Sequence, residues 1–413
     1  MSDVHRPAGH YDVAVIGAGP AGTTTAALLE ASGLSVAIFE RSRFPRFSIG
    51  ESLLPVCMDV LREAKLLDRV AAQGYQVKTG AVFIRNDERC EFDFARQFGD
   101  GSTWTWQVPR AEFDDVLACT VQERGVPIFF ESTVTAVEVG AAPRLTVQSE
   151  DGHRSEVSAR FIVDASGFGR ALPRLLDLEE PSSQPIRRAM FTHVRGDRRP
   201  EGPNRGRIFV VIQRRDVWIW IIPFSDGRTS VGVVAPPEWF ESLAGDPEAC
   251  LRAALRSDPA THQRLADTEF LFEPRSMIGY SAVARRVFGR GFCLVGNATE
   301  FLDPVFSSGV ALALVSASRA SAAIIRELAG ETVDWQADYA DYMKRGTDAF
   351  RTFVNAWYDG TFHEICFARP ENEQFKAMIC GALAGYVWDL DNPFVRGHKR
   401  KLQQLLRIVR AGH

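Results

Sequence analysis

Residues 11–41 read YDVAVIGAGPAGTTTAALLEASGLSVAIFER: a short apolar strand to Ile16, a glycine turn, a helix of small residues and a second strand ending at Glu40. Glycines stand at 17, 19 and 22. At that spacing Gly17 permits the tight turn, Gly19 lets backbone approach a pyrophosphate, and Gly22 lets helix and strand pack closely. The helix start at Ala21 turns its free N–H groups toward the phosphates. Glu40, 23 residues after Gly17 and followed by Arg41, is placed to accept from the hydroxyls of an adenosine ribose. The stretch is a dinucleotide-binding βαβ unit, and it predicts an α/β, Rossmann-like fold.

Composition sets the rest of the frame. A chain of 413 residues exceeds what one hydrophobic core usually supports, so more than one lobe is expected. With 46% hydrophobic and 24% charged residues and a net charge of -4, it reads as a globular protein with no nucleic-acid footprint. Seven scattered cysteines without a C-x-x-C pair predict neither a disulfide framework nor a metal site, and fit reduced thiols in a cytoplasm. The N-terminal MSDVHRPAGH lacks the basic and apolar regions of a signal peptide. The most apolar stretch, from Val310, is interrupted by serines and Arg319, so no membrane span is expected.

Two later segments suggest which dinucleotide. FIVDASGFGR, residues 161–170, supplies a strand and turn with Asp164 and Gly167. GRGFCLVGNATEFLDPVFSSGVALALVSASRAS, residues 289–321, supplies a buried strand, the Asp303-Pro304 turn and a helix from about Ser308. This order resembles FAD enzymes of the glutathione-reductase-like type, in which that helix points its positive end at the flavin. A helix end stabilises an anionic reduced flavin by roughly 0.3–2 kcal/mol.

The whole chain resembles the flavin-dependent halogenases, of the group acting on pyrrole or phenol rings. The resemblance rests on the glycine turn, GESLLP at 50–55, Lys78 in VKTGAVF, VPRAEFDDVL at 108–117, WIWIIP at 218–223 with TSVGVV after it, and DPVFSSGV at 303–310. It implies a cofactor, FAD, used as FADH2. In the family the reduced flavin and O2 form a C4a-hydroperoxide that a halide, chloride or bromide, attacks to give hypohalous acid. The cofactor wall would include Gly50, Glu51, Ser52, Arg110, Asn297, Asp303, Gly309 and Val310. Halide would rest at Ser308 and Gly309. Trp218, Trp220 and Pro223 would separate flavin from substrate. Lys78 would pass the oxidised halogen to an aromatic ring.

Residue chemistry agrees with that assignment. On a strand Trp218 and Trp220 share a face. Only six of the 48 Lys and Arg residues are lysine, and an arginine cannot become a neutral amine as a buried lysine can. Trp104 and Trp106, in WTWQVP, read as structural, and His193, His262 and His363 as structural or surface residues. Two positions depart from the family. Phe306 stands where halogenases of free tryptophan carry a glutamate, which points to a more activated ring. Asn297 stands where the family usually has aspartate.

The expected layout is an FAD domain from residues 1–84, 104–184 and 277–330, a substrate sheet from 85–103 and 185–276, and a helical segment from 331–413. That segment is expected to cap the substrate pocket, and its short length resembles enzymes taking a ring tethered to a carrier protein. No NADPH fingerprint is visible, so a partner flavin reductase is expected to supply FADH2. Other readings remain open at the level of sequence: a geranylgeranyl-reductase-like enzyme, an FAD aromatic monooxygenase, or a non-catalytic FAD-binding relative.

Overall fold

The computed structural model describes residues 9–182, 184–243, 245–256 and 258–411; the N-terminal expectation for residues 1–8 lies outside them. A parallel sheet is built around Gly9–Ile16, which pairs with Val36–Phe39 on one side and Arg154–Asp164 on the other. Phe292–Leu294 and Ile128–Phe129 extend it in parallel at the two ends. Helix Pro20–Ala31 makes the first crossover and packs against helix Ser308–Leu328. With helices Pro20–Ala31 and Ser308–Leu328 on one face and the hairpin Ser132–Glu138/Arg144–Ser149 on the other, this sheet's strands are apolar runs with little alternation, as in VAVI and VAIF.

A second, mainly antiparallel sheet runs in the order Glu269–Phe270, Arg188–Arg195, Thr229–Ala235, Val217–Pro223, Ile208–Arg214, Gly80–Arg85, Glu88–Asp93. Its one parallel pair joins Ile208–Arg214 to Gly80–Arg85. The sheet therefore begins at Gly80, and the expected boundary at residue 84 falls inside a hairpin. The sequence placed that edge late because VKTGAVF was read with the flavin segment.

The tryptophan strand positions the site. Trp218, Trp220 and Ile222 face the core shared with the flavin-side helices, while Ile219 and Ile221 pack with Val211, Val233 and Leu251 beneath helix Pro247–Arg256. Opposite Trp220 stands Gly232, where an added Cβ would lie 2.2 Å from the indole. A bare backbone gives the ring its place.

Residues beyond 331 are helical: Asp341–Tyr358, Thr361–Cys366, Glu373–Leu383 and His398–Ala411. Ser308–Leu328 has the length and composition of a membrane span, but 67% of its apolar window is buried inside the fold. It is a core helix here.

Candidate active site

A cavity of about 670 Å³ runs from the glycine turn to the tryptophan strand. Gly17, Gly19, Ala21, Glu40 and Arg41 line one end, and Gly50, Glu51, Ser52 and Arg110 a side. Gly167, Trp218, Trp220, Asn297, Ser307, Gly309 and Val310 complete the wall. Gly17 has φ +99°, and a Cβ on Gly22 would lie 1.9 Å from the Gly17 carbonyl oxygen, so both positions require glycine. Glu40 Oε2 accepts from the Ala18 N–H at 2.9 Å and Oε1 from the Ser42 N–H at 2.9 Å, which fixes the carboxylate at the cavity wall.

Two helix N-termini reach this cavity, at Pro20 and Ser308, and neither is capped by a side chain. Their backbone N–H groups remain available to an anion. Glu51 is 2% exposed, and its Oε2 has no protein partner although the residue lines the cavity. Free donors at both helix starts and a bare buried acceptor beside them fit a long ligand that carries both phosphate and N–H or O–H groups, which is the chemistry of FAD.

At the far wall both indole N–H groups are occupied. Trp220 Nε1 donates to Ser230 Oγ at 3.1 Å. Trp218 Nε1 donates to the Tyr358 hydroxyl at 3.1 Å, which donates in turn to Asp303 Oδ2 at 2.9 Å. The Arg187 guanidinium lies 3.3 Å from the Tyr358 ring centre. Burial pushes the Asp303 carboxyl up to about 6, with the Arg187 charge opposing. Trp218 is thus tied to the Asp-Pro turn of the flavin segment by a tyrosine from the C-terminal helices.

Lys78 ends the strand Gln76–Lys78, pairs with Thr105, and is 2% exposed. Its Nζ donates to Ser52 Oγ and to the Leu53 carbonyl, each at 2.9 Å, and lies 5.5 Å from the centre of the Phe94 ring. Burial pushes its pKa down to about 7. Ser52 lines the cavity, whereas Lys78 stands behind it.

The sequence matches the FAD binding domain family over residues 10–349. The 1H-pyrrole-2-carbonyl peptidyl-carrier-protein chlorinase of Pseudomonas fluorescens is 29% identical, over 92% of this chain and 90% of that protein. The structure of a flavin-dependent brominase superposes with a TM-score of 0.84 at 28% identity, covering 96% of this chain and 98% of that one. The chain belongs to the flavin-dependent halogenase family. A flavoprotein/dehydrogenase structure from Cytophaga hutchinsonii is also similar, with a TM-score of 0.95 and 47% identity over 98% of this chain and 100% of that one.

In this halogenase several expected site residues sit elsewhere. Asp164 is fully buried and absent from the wall; its oxygens accept from the Ser166 and Leu172 N–H groups at 2.8 and 2.7 Å, so it shapes the turn that presents Gly167. Asp303 likewise faces Tyr358 and its own turn, where it accepts from the Val305 N–H at 3.0 Å. The Asp-Pro sequence carried a signal for this, since aspartate before such a turn commonly bonds the backbone two residues on. Pro223 lies one position past the wall, with its carbonyl taken by Gln107 Nε2 at 3.2 Å. Ser308 is buried off the cavity, and Ser307, held at φ +57°, lines it beside Gly309. The left-handed backbone at Ser307, just before the helix, accounts for that exchange.

Arg110 lines the wall with its guanidinium paired to Asp114 at 2.8 and 3.0 Å. Phe306 sits in an aromatic cluster, 5.2 Å from Phe362 and 5.9 Å from Trp357. Trp104 and Trp106 pack edge to face at 4.8 Å. His193 is a structural residue, buried with Nε2 2.7 Å from Glu51 Oε1 in a nest of Phe47, Phe224 and Phe272. The partners are 142 residues apart, and no local pattern links them.

Proposed function

We propose that this halogenase oxidises chloride or bromide at bound reduced FAD and delivers the halogen through Lys78 to an electron-rich phenol or pyrrole. One observation carries the reading: a buried lysine, in no ion pair among the described residues and with its pKa lowered to about 7, stands directly behind a serine of the flavin cavity. Bound reduced FAD, with O2, supplies the oxidising equivalent that converts halide to hypohalous acid.

The chain's own groups then have distinct tasks. The backbone N–H groups of Ser308 and Gly309 hold the halide at the start of helix Ser308–Leu328, where the helix dipole favours an anion. Trp218 and Trp220, each held by a hydrogen bond, keep an organic ring away from the flavin and exclude bulk water. The Lys78 amine, half neutral near pH 7, holds the oxidised halogen by hydrogen bond or as a haloamine and aims it at the acceptor. Ser52 and the Leu53 carbonyl orient that nitrogen. Gly17, Gly19, Ala21, Gly22, Glu40, Arg41 and Gly50 cradle the cofactor, with Arg110 and Asn297 beside it. Asp164 and Asp303 support this wall through the turns they hold.

The acceptor is read as a ring tethered to a carrier protein, supported by the substrate of the Pseudomonas relative. FADH2 comes from a separate reductase in this scheme. All seven cysteines are free thiols, which supports a reducing, cytoplasmic setting.

The similarity to the Cytophaga flavoprotein/dehydrogenase favours a second reading, an FAD reductase or dehydrogenase that halogenates nothing. Product mass separates the two. Incubation with reduced FAD, O2, bromide and pyrrole or phenol acceptors gives a monobrominated ring on the halogenase reading. A hydrogenated, dehydrogenated or hydroxylated product without bromine, from every acceptor tried, overturns it.

A further inference from the structure

The ring that Lys78 packs on lies two residues from the wall of a second cavity. Phe94, beneath the Lys78 ammonium, is two residues on from Phe92 at the end of the strand Glu88–Asp93. Phe92 lines this second cavity of about 310 Å³, formed among the C-terminal helices. Phe362, also in its wall, stacks on Phe92 at 6.3 Å and touches Phe306 at 5.2 Å; Phe306 reaches Trp357 at 5.9 Å, and Trp357 reaches Trp218 at 6.2 Å. A continuous aromatic partition therefore runs from Trp218, in the wall of the first cavity, to Phe362 and Phe92, in the wall of the second.

The surroundings of this second cavity are cationic in a chain whose net charge is -4. Arg369 and Lys376 line it, and both pair with the single carboxylate Glu371, at 3.0 Å for Arg369 and 2.5 Å for Lys376. Helix His398–Ala411 contributes Leu405, Ile408 and Val409 to the wall and carries Lys399, Arg400, Lys401, Arg407 and Arg410 without one acidic residue. Lys399, Arg400 and Arg407 are exposed, and Ile408 at the rim is 59% exposed. Glu371 and Glu364 offset Arg369, Lys376 and Arg410, which leaves Lys399, Arg400 and Arg407 as exposed basic groups on the helix beside an apolar slot, an arrangement suited to a flat ring delivered on an anionic partner.

Resting on the halogenase reading, we propose that this face docks an acidic carrier protein. Its phosphodiester-bearing arm crosses the basic helix and leaves an aromatic acyl thioester in the second cavity, across the partition from Trp218. The proposal names a binding surface and requires no chemistry beyond the halogenation already described.

The test uses the full chain with bound FAD and a fluorescent peptidyl carrier protein of net negative charge, loaded with a pyrrole-2-carbonyl group. The charge reversal Lys399→Glu/Arg400→Glu/Arg407→Glu is expected to weaken carrier binding at least tenfold at low salt, and added salt to weaken wild-type binding similarly. FAD affinity and bromination of a free phenol should stay within twofold. Ile408→Trp, which crowds the rim without changing charge, is expected to lower bromination of the tethered ring more than bromination of the free phenol. Absence of saturable carrier binding, or binding unmoved by the reversal, overturns the docking surface. Salt-sensitive, reversal-sensitive binding with no bromination of either ring keeps the surface and overturns the halogenase reading instead.

Discussion

At the scale of single residues, Lys78, the proposed halogen carrier, brings a measurable cost. An unfolded lysine titrates near ~10.4, whereas the folded one is held at about 7 by burial. Below pH 7 the native state carries a buried charge and the full penalty applies; between about 7 and ~10.4 the unfolded chain binds the extra proton, so stability from this group rises with pH. Lys78→Met is therefore expected to stabilise the fold near pH 7 by about 1–4 kcal/mol, with the gain shrinking toward pH 10. Urea denaturation of both proteins at pH 7 and pH 9.5 checks this, and a gain that grows with pH contradicts the assigned direction. The same titration predicts that halogen transfer rises through about pH 7 as the neutral amine appears.

How much of the residue scale was readable depended on whether a residue's partners were local. Gly17, Gly22 and the strand face of Trp218 and Trp220 follow from spacing alone, because turn geometry and strand alternation act within a few positions. Glu51–His193 and Trp218–Tyr358 join residues 142 and 140 positions apart, and only the folded sheet and C-terminal helices bring them together. Asp164 and Asp303 were read as facing the cofactor because acidic residues at glycine turns suggest it, yet each spends its oxygens within the wall, on nearby N–H groups or on Tyr358.

At the scale of elements, the tryptophan strand works because its neighbour has a gap. Gly232→Ala would put a methyl 2.2 Å from the Trp220 ring. Overpacking of this kind usually costs about 1–3 kcal/mol, and here it should also tilt the indole into the flavin cavity. The expected result is a weaker FAD Kd together with a shifted Trp emission, measured by flavin titration. Unchanged FAD binding would show that Trp220 does not shape the cofactor wall. Gly22→Ala, with its Cβ 1.9 Å from the Gly17 oxygen, should abolish FAD binding by opening the helix away from the first strand.

The βαβ element was plain in the sequence because each of its glycines answers a separate steric need. The start of the second sheet was not, since Gly80–Arg85 is parallel to a strand more than 120 residues later and nothing local marks that pairing. The helix start at Ser308 follows from the sequence, but only the backbone shows Ser307, at positive φ, turned toward the cavity beside Gly309.

At the scale of the whole molecule, the fold sets two cavities on either side of an aromatic partition. Trp218 closes that partition through Tyr358 and Trp357. Trp218→Ala removes a large buried ring, a change that costs about 3–5 kcal/mol in typical cores, and it should open the flavin cavity toward Trp357 and admit an organic ring to it. The expected consequence is fewer brominated rings for each FADH2 consumed, with more peroxide and some hydroxylated ring; coupling unchanged from wild type would show that the indole is packing only.

The most direct measurement follows where oxidised bromine goes. Wild type and Lys78→Ala are each supplied with reduced FAD, O2, bromide and an electron-rich phenol, with the brominated ring and the freely released hypobromite both counted. With Lys78 as the carrier, wild type brominates the ring, while the variant still consumes FADH2 and releases hypobromite but loses about 10²–10⁴-fold in ring bromination. Equal ring bromination by the two proteins would contradict the account.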